Sequence, residues 1–192
     1  IGHGIRELMV QAVANHTGQP PEQVRAGTFL DAAVQRFEGH YALRCGTSST
    51  LFPRVREALE SLRAGGVRLA VVTNKNQRFT RLVLDAHGLT PYFEMVVCGD
   101  SFPLKKPDPT GVQACLDFFG VSRQRTLFVG DSHIDVDTAR AAGIAVWAVP
   151  YGYNLGQPIE ATAPDRVIAD FSVFETWPDS NAETTSTRAR VL

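Results

Sequence analysis

The chain has 192 residues, and its 19 Lys and Arg residues against 20 Asp and Glu residues give a formal net charge of −1. This balance argues against a nucleic-acid-binding protein that works by bulk charge, since such a protein needs a basic face. No apolar run approaches the roughly 20 residues of a membrane span, and the start shows no signal-peptide pattern. The three cysteines are too few for a disulfide framework, and they favour a reducing cytoplasm.

The first part of the chain shows helical spacing and no strand pattern. Apolar residues recur at intervals of three and four along residues 5–13 and again along 30–41, which predicts two amphipathic helices. The segment 16–21 between them contains one glycine and two prolines and predicts a stop followed by a turn. A helical hairpin or a small helical bundle is the simplest interpretation.

From about residue 54, short apolar runs alternate with helical stripes. The runs, which we predict to be strands, are residues 69–72, 95–98, 127–129, 145–149 and 167–169. Continuous apolar runs separated by helices indicate strands that are buried on both faces of a parallel sheet. We therefore predict an α/β fold, a doubly wound parallel sheet with a small helical cap at its N-terminal side.

Three segments follow from these patterns. Residues 1–50 are predicted to form the helical cap, and residues 51–175 the α/β core. Residues 176–192 are polar, and this composition predicts a disordered tail.

Polar side chains directly follow the predicted strands, where ligands bind in open α/β sheets. Thr73 and Asn74 follow the first run, Lys106 lies after the second, and Asp131 follows the third, with Asp135 one helical turn later. Carboxylates suit Mg²⁺, whereas a lysine with hydroxyl and amide groups suits phosphate oxygens. Together they suggest phosphoryl transfer.

Each of these residues also has an ordinary structural interpretation. Asn74, Asp131 or Ser132 could simply cap a helix, and Asp135 could complement a helix dipole. Lys106 could be a solvated loop charge. Any one of these signals is weak, but four in this order after apolar runs are hard to obtain by chance.

The sequence resembles the haloacid dehalogenase-like hydrolase superfamily in the second, third and fourth of its motifs. These are Val71-Val72-Thr73-Asn74-Lys75, Lys106-Pro107-Asp108-Pro109 and Gly130-Asp131-Ser132-x-x-Asp135. Three further segments, Ile1-Gly2-His3-Gly4, Phe37-x-x-x-Tyr41 and Val149-Pro150-Tyr151-Gly152-Tyr153-Asn154, resemble the phosphoglycolate phosphatase branch.

This resemblance implies an Mg²⁺-dependent phosphate monoester hydrolase that works through an aspartyl-phosphate, with 2-phosphoglycolate as the substrate. Thr73 would hold the phosphoryl group with Asn74 beside it, and Lys106 would neutralise phosphate and nucleophile. Asp131 would bind Mg²⁺, and Asp135 would hold a metal-bound water or orient Lys106.

The resemblance also implies a role for residues 1–50, as the remainder of a cap that closes over the site. Closure would exclude water and select the substrate, a small phosphorylated metabolite. His3 and Arg6, near the opening loop of the cap, are candidates for binding the substrate carboxylate.

One superfamily motif is missing from this sequence. The first motif is a strand ending in Asp-x-Asp-Gly-Thr, which supplies the nucleophile and the general acid, and no segment here matches it. In the superfamily that strand lies between those carrying the second and fourth motifs, so its loss would leave two buried strand edges unpaired. Our hypothesis is that the chain is an N-terminally truncated segment of a phosphatase, inactive alone.

Three other interpretations remain open. A related cap-bearing sugar-phosphate phosphatase or phosphomutase would share the same motifs. A pseudoenzyme without the nucleophile would bind phosphate and Mg²⁺ without turnover. A receiver-like regulatory domain is disfavoured, because there the acidic pair comes first in the chain and the lysine last.

Overall fold

The computed structural model describes residues 4–175, so His3 and the predicted tail lie outside the described residues. The helical part consists of α1 (Ile5–Thr17), α2 (Pro21–Ala26) and α3 (Phe29–Arg44). Its own small apolar cluster joins Val10, Ala14, Val24 and Leu30. Helix α2 was not predicted from the sequence. Pro21 is the first residue of α2, and its ring fixes a φ that suits a helix. The segment that was predicted as a stop and a turn therefore also begins a short helix.

The remaining elements alternate between helix and strand, as predicted for an α/β fold. They are α4 (Val55–Ala64), β1 (Ala70–Val72), α5 (Gln77–Ala86), β2 (Met95–Val97), α6 (Thr110–Phe119), β3 (Leu127–Gly130), α7 (His133–Ala142), β4 (Ala145–Ala148) and β5 (Arg166–Val167). Short 3-10 turns connect several of them. The division of the chain at residue 50 stays a prediction.

All strand pairs are parallel, but the strands form two sheets. Strand β1 pairs with β2 in one sheet, and the order in the other is β3-β4-β5. Within residues 4–175 no strand lies hydrogen-bonded between β1 and β3. This matches the expectation of two unpaired strand edges between the segments that carry Thr73 and Asp131.

Two apolar clusters cover both sheets. One cluster contains Ala70 and Val72 of β1 together with Phe128 of β3 and side chains of α6 and α7. The other contains Leu69 beside β1 and Leu127 of β3, with side chains of α4 and α5. Since each cluster includes residues from both sheets, the two sheets share one pair of covering layers.

The segment after α3 packs tightly on the core. Gly46 has a φ of +88°, and a Cβ there would lie 2.8 Å from Ala86 Cβ and 2.9 Å from the Leu82 carbonyl oxygen. We expect Gly46→Ala to lower the free energy of unfolding by about 2 kcal/mol, through overpacking and backbone strain. Urea unfolding of both proteins measures this change.

Gly39→Ala is the matched control for that substitution. Gly39 lies inside α3, and a Cβ there would meet nothing within 4 Å. Because alanine favours a helix over glycine, this variant should gain up to about 1 kcal/mol. Equal effects of the two substitutions would contradict the proposed contact between Gly46 and α5.

No helix among residues 4–175 is long and apolar enough to cross a membrane. All three cysteines are buried and free. Burial raises the pKa of Cys115 to about 12, so its thiol is unreactive at neutral pH.

Candidate active site

A cavity of about 550 Å³ lies between the helical part and the carboxyl ends of β1 and β3. Its lining includes the five core residues predicted as the site: Thr73, Asn74, Lys106, Asp131 and Asp135. The structure therefore brings together residues that are up to 62 positions apart in the sequence. The roles predicted for them remain predictions.

A short ion pair joins two of these residues. Lys106 Nζ donates to Asp135 Oδ1 at 2.6 Å, and the two side chains are 13% and 6% exposed. Such a pair is costly to desolvate, so it is stable only while both partners are present. Lys106 thus enters the cavity in a fixed position.

The other oxygen of Asp135 is also occupied. Asp135 Oδ2 accepts hydrogen bonds from the backbone amides of Asp131 and Ser132, each at 3.0 Å, and from Ser132 Oγ at 2.7 Å. Ser132 and Asp135 form the capping box that begins α7. Burial works to raise the pKa of Asp135, but the Lys106 ammonium and these hydrogen bonds hold it below its ordinary value.

Asp131 has a different environment. Its Oδ2 receives a long contact from the Tyr153 amide at 3.4 Å. Asp131 still reaches solvent, but the partial burial of its carboxylate raises its pKa, and the neighbouring Asp135 charge raises the pKa further. A carboxylate beside the cavity with so little compensation is suited to a cation.

Glycines allow the loops to approach these carboxylates. A Cβ on Gly130 would lie 2.2 Å from Asp135 Cβ, and one on Gly152 would lie 2.3 Å from Asp131 Oδ2. Neither position has room for a side chain while the carboxylates keep their places. The glycines of both motifs therefore shape the site through close packing.

The loop after β1 supplies hydrogen-bonding groups. Thr73 Oγ1 accepts from the Lys75 amide at 3.1 Å, so its hydroxyl hydrogen can be donated to a ligand. Asn74 Nδ2 donates to the Lys106 carbonyl at 2.8 Å and so ties the loops of the second and third motifs together. Asn74 therefore helps to fix the place of Lys106.

The donor set is compatible with Mg²⁺ held through few protein ligands. Among the residues that the structure describes, no group of three His, Cys, Asp or Glu side chains could hold a metal ion by itself. Mg²⁺ commonly takes one or two carboxylates and completes its shell with water and substrate phosphate. Asp131 fits this pattern, whereas both oxygens of Asp135 already have partners.

The predicted substrate-binding residues lie at the other side of the cavity. Arg6 lines the cavity from α1, and its Nη1 donates to Asp31 Oδ1 at 2.6 Å on the exposed surface. His3 lies outside the described residues.

Sequence reasoning missed a contact between the helical part and the second motif. Lys75 Nζ donates to the Tyr41 hydroxyl at 2.6 Å and lies 5.0 Å from the centre of the same ring. Tyr41 also packs against Phe37 and, edge to face, against Phe79. Tyr41 and Lys75 each belong to a sequence motif named above, but only the fold shows that the two side chains are in contact.

Comparison with known proteins shows to which protein family the chain belongs. A family model described as haloacid dehalogenase-like hydrolase matches residues 5–149. The chain belongs to this family. The match includes all three motifs read from the sequence, and so it covers every core residue of the cavity named above.

The relatives narrow the activity of this haloacid dehalogenase-like hydrolase. The phosphoglycolate phosphatase of Nitrosospira multiformis is 39% identical over 168 residues, which cover 88% of this chain and 72% of that protein. A crystal structure described as a predicted phosphoglycolate phosphatase from Haemophilus somnus has a TM-score of 0.76 and 31% identity, covering 94% of this chain and 78% of that one. The chain is therefore a member of the phosphoglycolate phosphatase branch of these phosphatases.

The fold is shared more widely than the activity. A structure from Thermotoga maritima, assigned there as a β-phosphoglucomutase candidate, has a TM-score of 0.63 at 20% identity. At that identity the likeness shows the α/β fold alone.

Proposed function

We propose that this chain forms the phosphate-binding and Mg²⁺-binding part of an enzyme that hydrolyses 2-phosphoglycolate to glycolate and phosphate. The observation that carries the proposal is the convergence of the Thr73 hydroxyl, the Lys106 ammonium and the Asp131 carboxylate on one cavity. Phosphoryl transfer is catalysed mainly by positioning and charge neutralisation, and these groups supply both.

Each residue has a distinct task in this proposal. Thr73 and Asn74 donate hydrogen bonds to phosphoryl oxygens, and Lys106 neutralises their charge. Asp131 is the Mg²⁺ ligand, and the bound cation would neutralise further charge on the phosphoryl group. Asp135 acts through Lys106, because its two oxygens hold the lysine and the start of α7.

The aspartyl-phosphate mechanism requires a nucleophile that this sequence does not carry. In that mechanism an aspartate attacks phosphorus, glycolate leaves as an alcohol after protonation, and water hydrolyses the acyl phosphate. No Asp-x-Asp-Gly-Thr segment is present in the 192 residues. We therefore expect the chain by itself to bind substrate without turning it over.

Calorimetric titration with 2-phosphoglycolate in the presence of Mg²⁺ tests the function. We expect saturable binding with one site, and about tenfold weaker binding for Thr73→Val, which loses a single hydroxyl. Glucose 6-phosphate is the comparison ligand. Tighter binding of the hexose phosphate would contradict the substrate assignment and favour a sugar-phosphate phosphatase or phosphomutase.

A phosphate-release assay on the same chain separates the two parts of the proposal. Release no faster than in buffer is the expected result. Turnover by the 192-residue chain would overturn the missing-nucleophile part and leave the binding part intact. If 2-phosphoglycolate binds but no phosphate is released even when a polypeptide with an Asp-x-Asp-Gly-Thr segment is added, the pseudoenzyme interpretation is favoured.

Arg6 provides a separate prediction about the substrate carboxylate. Arg6→Met should weaken 2-phosphoglycolate binding about tenfold, since a charged hydrogen bond to the carboxylate would be lost. Binding of inorganic phosphate should not change. Arg36→Met is the matched control, because Arg36 is exposed on α3 and is not among the residues that line the cavity. Equal weakening for both ligands would contradict a carboxylate-binding role.

We also propose that the enzyme works in the cytoplasm on a small phosphorylated metabolite, without a nucleic-acid or membrane partner. The near-neutral charge balance and the three free, buried cysteines support this setting.

A further inference from the structure

Asn154 is a buried polar side chain in the loop of residues 149–158, which follows β4 and which we call the β4 loop. Asn154 is 8% exposed, whereas its neighbours Tyr153 and Leu155 are 54% and 60% exposed. A buried amide group is stable only when its donors and its acceptor find partners. The contacts of Asn154 therefore show which parts of the chain this side chain holds together.

The side chain of Asn154 ties the β4 loop to the start of α7. Its Oδ1 accepts a hydrogen bond from the backbone amide of His133 at 2.9 Å and lies 3.1 Å from His133 Nδ1. Its Nδ2 donates to the carbonyl oxygens of Gln157 and Pro158 at 3.2 and 3.4 Å. The amide of His133, the first residue of α7, has no acceptor within the helix. Asn154 therefore caps this helix from another segment of the chain.

These contacts also determine which nitrogen of the His133 ring carries a hydrogen. A backbone amide can only donate, so the Asn154 atom that faces His133 is the carbonyl oxygen, which can only accept. His133 Nδ1 must then carry a hydrogen in order to bind this oxygen. We therefore expect the neutral His133 ring to be the Nδ1–H tautomer.

The β4 loop also lies directly against Asp131. A Cβ on Gly152 would be 2.3 Å from Asp131 Oδ2, and the Tyr153 amide nitrogen lies 3.4 Å from the same oxygen. Both residues stand just before Asn154 in the loop, and Asp131 stands two residues before His133. The place of the loop therefore limits the positions that are open to the Asp131 carboxylate.

We propose that Asn154 is a positioning residue for Asp131. Its hydrogen bonds to His133 hold the β4 loop, and the loop holds the Asp131 carboxylate beside the cavity, where it can bind a cation. This inference rests on the proposed function, in which Asp131 is the Mg²⁺ ligand. Partners that orient a metal ligand from behind commonly change the metal affinity by about tenfold to 100-fold when they are lost.

Asn154→Ala tests the positioning role, because it removes the cap and leaves Asp131 in the chain. Calorimetric titration of the full chain with Mg²⁺ in the presence of inorganic phosphate should show about tenfold weaker Mg²⁺ binding. Binding of inorganic phosphate measured without Mg²⁺ should change less than about twofold, since Lys106 and Thr73 are untouched. Unchanged Mg²⁺ affinity would overturn the proposal.

Thr126→Ala is the matched control for this substitution. Thr126 is 3% exposed, and its Oγ1 donates to the Ser122 carbonyl at 3.0 Å. It precedes β3, whereas Asp131 follows the other end of that strand. This variant should lose stability in urea unfolding and keep its Mg²⁺ affinity. Equal weakening of Mg²⁺ binding in the two variants would overturn the proposal, because general destabilisation would then explain the effect.

Nitrogen chemical shifts of the His133 ring test the contact in the unsubstituted chain. We expect the shifts of the neutral Nδ1–H tautomer there, and a change towards the Nε2–H tautomer in Asn154→Ala. The Nε2–H tautomer in the unsubstituted chain would overturn the proposal, because the ring could then not donate to Asn154.

The same Mg²⁺ titration of Asp131→Asn separates this inference from the proposed function. Loss of Mg²⁺ affinity in Asp131→Asn but not in Asn154→Ala would overturn the positioning role alone. No loss in either variant would overturn the cation site itself, and the positioning role with it. Loss in both variants, greater for Asp131→Asn, is the expected result.

Discussion

Lys106→Met is expected to lower the free energy of unfolding by about 3 kcal/mol at pH 7. The substitution keeps most of the apolar volume but removes the ammonium that lies 2.6 Å from Asp135 Oδ1. The carboxylate, 6% exposed, would then remain buried without its counter-charge. Urea unfolding measures the loss, and titration with inorganic phosphate should show loss of binding in parallel.

Two further variants test whether the loss of stability comes from breaking the Lys106–Asp135 ion pair or from a general change in charge. Lys105→Met removes the neighbouring, exposed ammonium and should change stability by less than about 0.5 kcal/mol. The double variant with Asp135→Asn should recover part of the loss, since no buried charge is then left alone. A loss that is no greater for Lys106→Met than for Lys105→Met would refute the buried pair.

The pH dependence of stability has a defined sign. The pKa of Asp135 in the folded protein lies below its ordinary value, so its ionisation stabilises the fold above the unfolded pKa of about 3.9. That contribution is lost as the pH falls through the folded pKa. In Lys106→Met the loss of stability on acidification should be smaller, because the variant already lacks the ammonium that stabilises the Asp135 carboxylate.

Strand ends and motif order were sufficient to predict which core residues meet. Apolar runs identified five strands, and parallel strands place their carboxyl ends at one edge, which is why Thr73, Lys106 and Asp131 were expected together. The partner of Asp135 could not be chosen from sequence. Its orientation depends on the capping box at Ser132 and on the reach of Lys106, and both arise only in the folded chain.

Contacts between the helical part and the core were beyond prediction for a related reason. Tyr41 and Lys75 stand 34 residues apart, and periodicity says only that Tyr41 lies on the apolar stripe of α3. Whether that stripe contacts its own helices or the core depends on how the segment around Gly46 packs on α5. Two buried, unpaired strand edges were expected from the resemblance, and the structure adds which side chains of the two apolar clusters cover them.

Asp131→Asn should weaken Mg²⁺ binding more than about 100-fold, because it removes the charge from the carboxylate best placed to hold the cation. Calorimetric titration of Mg²⁺ in the presence of inorganic phosphate measures this change. Asp137→Asn is the matched control, since Asp137 is exposed on α7 and is not among the residues that line the cavity. Unchanged Mg²⁺ affinity in Asp131→Asn would refute the proposed ligand.

Asp131→Asn should also raise the free energy of unfolding when Mg²⁺ is absent. A gain in stability beside a loss of Mg²⁺ affinity makes the test specific. The folded protein raises the pKa of Asp131, so its ionised form costs stability as the pH rises from about 3.9 through the folded pKa. Asparagine removes that cost, although the gain should be small because Asp131 still reaches solvent. A residue that merely supported the fold would lose stability on substitution. A gain in stability together with a loss of Mg²⁺ affinity therefore identifies a carboxylate kept for binding a cation.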